Sequence, residues 1–246
     1  MFSKMGKYKA CGIFSQGHCV LIAITISSII LTLKHTMSKS KEDVCKIITR
    51  LTIIMCILEA IKVIYSISQN SLYNVNTYLP LYYCSISLYA GLLSSFGKGK
   101  LKRVGDVFLA TGSIIGGAIF IIYPSTSLVY YPAFHFFSIH SFLFHGIMVY
   151  LGILVNKTKY IELKKDDIKY FASLVGVMCC VAFFINNIFD SNLMFISQNF
   201  SIVPIEFLYK VTNGSFWFSL IMSLGQMTIP FYLTYYILKL KDGNNL

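Results

Sequence analysis

Three histidines lie close together in the strongly apolar stretch FHFFSIHSFLFHG, residues 134–146. Imidazole exchanges a proton near neutral pH, and a polar side chain deep in a membrane helix normally faces the bundle interior and finds a partner there. We therefore expect His145, the deepest of the three, to be a general base. His140 and His145 are separated by about 140° around a helix, so both cannot face one partner squarely. His140 is predicted to support catalysis, and His135 to lie at a membrane interface.

The candidate nucleophile is a cysteine in the sequence LPLYYCSIS, residues 79–87. The Cys84 thiol could accept an acyl group if a nearby histidine removed its proton. The sequence does not show such proximity, and a cysteine in an apolar segment is by default a small hydrophobic side chain. Cys84 is thus predicted to be either the acyl acceptor or a residue that shapes the site.

Other polar residues interrupt the apolar segments and complete a candidate site. Glu59 and Lys62 stand at i and i+3, a spacing that predicts an intramembrane ion pair with either a structural or a functional role. Asparagine in a membrane helix also serves as a hydrogen-bonding contact between helices. The predicted substrate-binding residues are His18, Tyr82, Glu59, Asn186 and Asn192.

The composition is that of an integral membrane protein. Of the 246 residues, 56% are hydrophobic and 13% are charged, whereas about 25% are charged in a soluble domain. The net charge of +11 fits basic loops held in the cytosol better than nucleic-acid binding. We therefore predict membrane lipids, and no nucleic acid, as partners.

The seven cysteines are scattered along the chain and form no CxxC pattern. Their spacing supports neither a disulfide framework nor a zinc site. The sequence also contains no P-loop, GxSxG, HExxH or GxGxxG motif. No metal and no cofactor is therefore predicted.

Seven apolar runs approach the length of about 20 residues that a helix needs to cross a membrane. Because backbone groups in lipid must be satisfied internally, each run is predicted to be a helix. The fold class is therefore all-α, a polytopic helical bundle forming one domain over residues 1–246. The predicted spans are 18–34, 47–67, 79–96, 104–123, 134–155, 170–189 and 216–238.

Basic residues alternate between the loops and predict the orientation. The first, third and fifth connections are rich in lysine, whereas 68–78 and 124–133 contain no basic residue and 190–215 contains only Lys210. The positive-inside rule then places the N-terminus outside and the C-terminus in the cytosol. Three lysines near the N-terminus, at 4, 7 and 9, oppose this assignment. With this orientation, the predicted site residues all fall in the outer-leaflet half of the bundle.

The same residues occur in motifs that resemble the YwaF-like bacterial membrane proteins. FSQGH (14–18) is similar to their Phe-Ser-x-x-His, and HSFLFHG (140–146) to their His-x-x-x-x-His-Gly. LPLYYCSIS (79–87) resembles their Leu-Pro-Leu-His-x-Cys-x-Ile-Ser, and NNIFDSNLMF (186–195) resembles their Asn-x-x-x-x-x-Asn-Tyr-Met-Phe. The four motifs follow the same order along nearly the whole chain, and Glu59 falls where that family carries an acidic residue.

That family is grouped with the eukaryotic transmembrane protein 164 acyltransferase-like proteins, which are thought to act through a membrane cysteine and a nearby histidine. The resemblance implies a seven-helix bundle and lipid acyl chemistry. One departure concerns the family's histidine in the third-helix motif, which is Tyr82 here and removes a potential base. The position of the eukaryotic nucleophile corresponds either to Cys84 or to a residue nearer Leu81.

Three functions are compatible with the sequence. The first is a membrane-embedded enzyme of lipid acyl transfer or hydrolysis, located in the cell membrane. The second is a small-molecule or proton-coupled transporter, although no inverted repeat or pair of broken helices supports it. The third is a structural or regulatory membrane protein. The sequence leaves the substrate and the oligomeric state open.

Overall fold

The protein is built from helices. The computed structural model describes residues 2, 6–69, 75–199 and 203–243. These residues contain nine α-helices, four short 3-10 turns and no strand. The α-helices are α1 (Gln16–Thr36), α2 (Lys41–Gln69), α3 (Ile86–Phe96), α4 (Gly99–Ala110), α5 (Gly112–Ile122), α6 (Phe136–Lys157), α7 (Ile168–Phe189), α8 (Val203–Val211) and α9 (Phe216–Gly243).

Several of these helices have the length and apolar composition of membrane spans. Among the described residues, five segments meet both conditions: Gln16–Thr36, Gly99–Ile122, Phe136–Lys157, Lys165–Phe189 and Phe216–Leu240. The two other predicted spans correspond to α2, which has 29 residues but contains several charges, and to α3, which has 11 residues. An all-α membrane protein is confirmed, whereas the count of seven spans stays a prediction.

Three elements differ in detail from the expected helices. The third predicted span, 79–96, becomes helical only at Tyr83, where a 3-10 turn leads into α3. The segment before it, which contains Pro80, is not helical. The fourth predicted span, 104–123, is divided into α4 and α5 by Thr111, whose φ of −126° and ψ of −75° lie outside the helical region. The short helix α8 was not expected, because its few turns are too short to form an apolar run of membrane length.

Helix α6 lies at the centre of the bundle and packs against α1, α2, α4 and α5. Of its 22 residues, 13 are buried. Glycines bring neighbouring backbones close to it: a Cβ on Gly117 of α5 would lie 2.9 Å from the carbonyl oxygen of His145, and one on Gly152 would lie 2.9 Å from that of Leu109. The helix that carries His140 and His145 is therefore surrounded by four other helices.

Ion pairs join the basic start of α4 to the basic connection between α6 and α7. Lys102 donates to both carboxylate oxygens of Asp106, at 2.9 and 2.8 Å, and to the Tyr160 hydroxyl at 2.6 Å. Arg103 forms a bidentate pair with Asp167 on the far side of the α6–α7 connection. Burial raises the pKa of the Tyr160 phenol, with Lys102 acting in the opposite direction. These contacts tie α4 to the connection between α6 and α7.

Candidate functional site

His145 is held in a defined tautomer. Its Nδ1 lies 2.6 Å from the carbonyl oxygen of Ser141, one helical turn earlier in α6. Because a carbonyl oxygen only accepts, Nδ1 carries the proton, and in the neutral ring Nε2 then carries a lone pair. The ring stacks on Phe120 of α5, with centroids 3.7 Å apart and planes 9° apart. Nε2 is buried and has no hydrogen-bond partner among the described residues.

His140 lies one and a half turns before His145 and faces a different direction. Its ring lies between the rings of Phe136 and Phe144 on the same helix, with centroids 5.7 and 5.8 Å away. Its Nε2 is also buried without a hydrogen-bond partner in the described part of the chain. The two histidines share no hydrogen-bond partner, as their separation around the helix predicts.

Cys84 lies in the 3-10 turn just before α3 and is partly buried, with its thiol 4.0 Å from the carbonyl oxygen of Gly116. Gly116 and Gly117 precede Phe120 on α5, and Gly117 packs against the backbone of His145. Cys84 and His145 therefore pack against the same two turns of α5. The thiol makes no hydrogen bond to the free Nε2 of His145.

Glu59 and Lys62 form the predicted ion pair inside the bundle. Lys62 Nζ lies 2.5 Å from Glu59 Oε1, and the exposed fractions of the two side chains are 21% and 7%. Helix α2 packs against both α3 and α6. Glu59, His140 and His145 are buried, and Lys62 and Cys84 are partly buried. We call these five residues the interior cluster: Glu59, Lys62, Cys84, His140 and His145.

Tyr82 and Asn192 belong to a different group, in the loops at the end opposite the basic loops. The Tyr82 hydroxyl donates to the backbone oxygen of Asn76 at 3.1 Å, and the Asn76 side chain accepts from the backbone N–H of Asn192 at 2.9 Å. The backbone N–H of Met194 also donates to the carbonyl oxygen of Leu81 at 3.1 Å. These bonds join the segment before α3 to the segment after α7, which we call the loop junction.

The two predicted asparagines fold the loop junction. Asn186 donates to the carbonyl oxygen of Leu193 and to the Ser197 hydroxyl, and it accepts from the Ser191 hydroxyl and the backbone N–H of Leu193. The Asn192 side chain accepts from the two backbone N–H groups of Ser197 and Gln198. Local hydrogen bonds of this kind account for asparagine at both positions.

A polar depression of about 390 Å³ lies beside the loop junction at the end of α7. Its lining is Asn186, Asn187, Asp190, Ser191, Ser197 and Gln198. Gln198 donates to the Asp190 carboxylate and backbone oxygens at 3.2 and 3.3 Å. The polar groups that line the depression thus bond largely to one another.

His18 stands apart from both groups. It is fully buried, and its Nδ1 accepts from the backbone N–H of Phe14 at 2.9 Å. Nε2 therefore carries the proton and donates to the carbonyl oxygen of Ile121, 3.0 Å away. His135, in turn, caps the start of α6 by accepting from the backbone N–H of Phe137 at 3.2 Å, and it is 2% exposed. Both histidines thus order helix ends.

Some residues of these groups were missed in the sequence. Asn76 lies in a polar loop and gives no signal that it joins two distant segments. Ser141 could have been found in the sequence, since it stands four positions before His145 and a helix brings such residues together. Asp106, at the basic end of the bundle, could also have been found, because its spacing from Lys102 is that of a helical ion pair. Among the described residues, no group of three histidine, cysteine, aspartate or glutamate side chains could hold a metal ion.

The helical architecture, with several apolar helices of membrane length around a buried polar cluster, defines the chain as an α-helical membrane protein. The model of the TMEM164 family matches residues 13–236, and the chain belongs to that family. The resemblance drawn from the four motifs is confirmed at the level of this family. No curated protein and no solved structure matched the chain.

Proposed function

We propose that the interior cluster catalyses acyl transfer from a membrane lipid, with His145 as the general base and Cys84 as the acyl acceptor. The observation that carries this proposal is the free Nε2 of His145. Its tautomer is fixed by Ser141, its ring stacks on Phe120, and its buried lone pair has no hydrogen-bond partner in the part of the chain that the structure describes. A base that is oriented by a second group is one part of the usual arrangement for nucleophilic catalysis.

The proposed reaction has two steps, acylation of Cys84 and transfer of the acyl group to an acceptor. His145 Nε2 takes the proton of the Cys84 thiol, and the sulfur attacks the ester carbonyl carbon of a glycerolipid. The carbon–oxygen ester bond breaks, the imidazolium returns its proton to the departing alcohol, and an acyl thioester remains on Cys84. A hydroxyl of a second lipid then attacks the thioester, His145 takes its proton, and the thiol is restored as that proton passes to sulfur. Water as the acceptor gives hydrolysis instead.

The packing of Cys84 and of the His145 backbone against neighbouring glycines of α5 supports this pairing. The Cys84 thiol lies 4.0 Å from the carbonyl oxygen of Gly116 and makes no hydrogen bond to His145, so the proposed proton transfer requires the two side chains to approach each other. Hydrogen bonds of catalytic groups commonly tighten only when substrate is bound. Tyr82 stands in place of the YwaF-like histidine and is bonded to Asn76. Of the two histidines in the cluster, we assign the base to His145, because Ser141 orients its ring, and a supporting role to His140.

In the membrane, we place the interior cluster in the outer-leaflet half of a seven-span bundle in the cell membrane. The basic residues at the start of α4 meet the basic α6–α7 connection at one end of α7, and the loop junction lies at the other end, which supports this orientation. Lipid acyl chains would then reach the cluster sideways from the bilayer.

The test is acyl transfer by the full chain in nanodiscs that contain a phospholipid with a labelled acyl group and an unlabelled lysolipid. We expect wild type to move the label to the lysolipid, and His145→Ala and His145→Gln to reduce the rate at least about 100-fold, the range for loss of a general base. His35→Ala is the matched control, since His35 is an exposed histidine in the last turn of α1 and lies outside the interior cluster. Equal transfer by wild type and both His145 variants would contradict the proposal.

A second measurement separates the two roles of Cys84. If Cys84 is the acyl acceptor, the labelled chain is recovered on its peptide and is released by hydroxylamine. If Cys84 only shapes the site, Cys84→Ala retains part of the transfer rate and no labelled peptide forms. Lipid species in cells that express wild type and His145→Ala at matched levels provide the cellular readout. Uptake of a solute that depends on His145, with no change in lipids, would favour the transporter instead.

A further inference from the structure

Helix α8 is a short helix that the bundle leaves largely uncovered. It comprises Val203–Val211, and at 1.5 Å per residue it is about 14 Å long, half the thickness of the hydrocarbon core. No residue from Pro204 to Val211 is fully buried. Phe207 is 69% exposed and Val211 is 67% exposed. The helix is therefore too short to cross a membrane, and the rest of the chain does not cover its large apolar side chains.

The exposed apolar residues lie on one side of α8. Pro204, Phe207 and Val211 are three and four positions apart, so they fall within about 60° of one another around the helix. Glu206 and Lys210 lie on another side, about 110° away, and form an ion pair of 2.7 Å. An apolar stripe beside a charged stripe is typical of a helix that lies in the plane of a membrane surface.

The turn after α8 holds the helix against the start of a membrane span. Residues 212–215 connect it to α9, which has the length and apolar composition of a span. The backbone N–H of Gly214 donates to the carbonyl oxygen of Tyr209 at 3.0 Å. The Tyr209 ring packs edge-on against the buried Phe218 of α9, with centroids 5.0 Å apart. Helix α8 is therefore held at the level where this span begins.

Exposed aromatic residues mark the same level on α9. Phe216 and Trp217, the first two residues of α9, are 59% and 63% exposed. Phe216 also packs against Phe183 near the end of α7, with centroids 5.8 Å apart. Exposed tryptophan at the end of a span is typical of the headgroup layer of a bilayer. One short turn thus separates the apolar stripe of α8 from an aromatic segment of interfacial character.

We propose that α8 is an interfacial helix, which inserts Pro204, Phe207 and Val211 into the boundary between the lipid headgroups and the acyl chains. Glu206 and Lys210 then face the headgroups and water. Because these two charges pair with each other, the apolar stripe supplies the attraction, and anionic lipid is not required. This inference does not rest on acyl transfer.

A second copy of the chain fits the stripe less well than lipid does. A stable protein interface buries about 800 Å² on each partner, and three side chains cover far less than this. The position of α8 beside the start of a span, by contrast, brings the stripe to lipid without any partner. Transfer of the exposed apolar surface out of water then favours insertion.

The single tryptophan of the chain makes the depth of α8 measurable. The full chain is reconstituted in phosphatidylcholine vesicles with bromine either near the headgroup or deep in the acyl chain, and quenching of tryptophan fluorescence is recorded. Wild type reports the depth of Trp217. Phe207→Trp/Trp217→Phe moves the reporter to the apolar stripe of α8. Ile229→Trp/Trp217→Phe is the matched deep control, since Ile229 is exposed within the span of α9.

We expect the reporter at position 207 to behave like Trp217. Shallow bromine should quench both at least about twofold more than deep bromine, because an interfacial helix buries its apolar side only at the headgroup–acyl boundary. The reporter at position 229 should show the reverse order. Replacing part of the phosphatidylcholine with phosphatidylglycerol, or adding salt, should leave the result at position 207 unchanged, because the charges of α8 are paired.

Iodide in the aqueous phase distinguishes the other locations. Quenching at position 207 by iodide, and not by brominated lipid, would place α8 in water. Quenching by neither would place the stripe against protein, such as a second copy of the chain. Either result overturns the proposal. Val211→Trp/Trp217→Phe carries a second reporter on the same stripe and repeats the test in an independent variant, with circular dichroism and size-exclusion elution confirming that each variant is folded.

Discussion

His18 and Ile121, 103 positions apart, are joined by a buried hydrogen bond of 3.0 Å from the imidazole Nε2 to the backbone oxygen. The other ring nitrogen orders the turn before α1 by accepting from Phe14. One side chain therefore fixes both the start of α1 and the end of α5. This arrangement gives His18 a structural role and leaves neither ring nitrogen free for a substrate, although a substrate-binding role was predicted for it.

Replacing His18 by alanine is expected to destabilise the protein. The carbonyl oxygen of Ile121 would lose its partner in a buried position, which costs about 1 to 3 kcal/mol. The free energy of unfolding, measured by SDS titration in mixed micelles, should fall by this amount. His35→Ala, at an exposed position of the same helix, should change it by less than about 0.5 kcal/mol. Equal stability of the two variants would show that the bond to Ile121 contributes nothing.

The adjacent pair Asn186 and Asn187 gives a second prediction. Asn186 is 3% exposed and makes four hydrogen bonds in the loop junction. Asn187 is exposed, and its side chain bonds to the backbone oxygen of Phe183. Asn186→Ala is expected to cost about 2 kcal/mol or more and to speed hydrogen exchange in residues 190–199. Asn187→Ala should leave both measurements unchanged. If the two alanine variants exchange alike, the loop junction is not ordered by Asn186.

Glycines at two positions differ in the space available to a Cβ. On Gly105 of α4, a Cβ would overlap the carbonyl oxygen of Ala90 and the backbone nitrogen of Ser94 in α3. Gly105→Ala must therefore push α3 and α4 apart, and a destabilisation of about 1 to 3 kcal/mol is expected. On Gly225 of α9, a Cβ would lie 3.6 Å from the Cδ1 atom of Ile229, an ordinary van der Waals distance. Gly225→Ala should therefore be neutral or stabilising. Thermal unfolding in detergent measures both variants.

The helices were largely predictable from the sequence because an apolar run of membrane length has one stable conformation in lipid. The ion pair of Glu59 and Lys62 was predictable for a similar reason, since its spacing of three positions is decided within one helix. The deep position of His145 followed from its distance along the helix. In each case the relevant geometry is local.

Contacts between distant segments were not predictable. Nothing in the sequence pairs Asn76 with Asn192, or His18 with Ile121, because those contacts depend on how the helices and loops assemble. Met194 and Phe195 adopt left-handed conformations with φ of 57° and 54°, although neither is a glycine or an asparagine. Such residues are strained by about 1 to 3 kcal/mol each and persist only where the surroundings hold them. Here the bond from Met194 to the carbonyl oxygen of Leu81, together with Gln226 of α9, holds the segment.

The charged network at the basic end gives a fourth prediction. Asp106 accepts from Lys102 and from the Ser94 hydroxyl, 2.6 Å away, and it is 9% exposed. Asp106→Ala leaves a half-buried ammonium without its carboxylate, and a loss of about 3 kcal/mol is expected. The double variant Lys102→Met/Asp106→Leu removes both charges and should recover most of that loss. A double variant that is as unstable as Asp106→Ala would show that packing, rather than the unpaired charge, is responsible.

The orientation predicted from the basic loops is tested by cysteine accessibility. Ser125 lies exposed in the connection between α5 and α6, which has no basic residue, and Lys100 lies exposed in the first turn of α4. In chains whose native cysteines are replaced by alanine, Ser125→Cys should react with a membrane-impermeant maleimide in intact cells. Lys100→Cys should react only after the membrane is permeabilised, because loops rich in lysine stay in the cytosol. The reverse labelling pattern would move the interior cluster to the inner leaflet and contradict an outer-leaflet substrate.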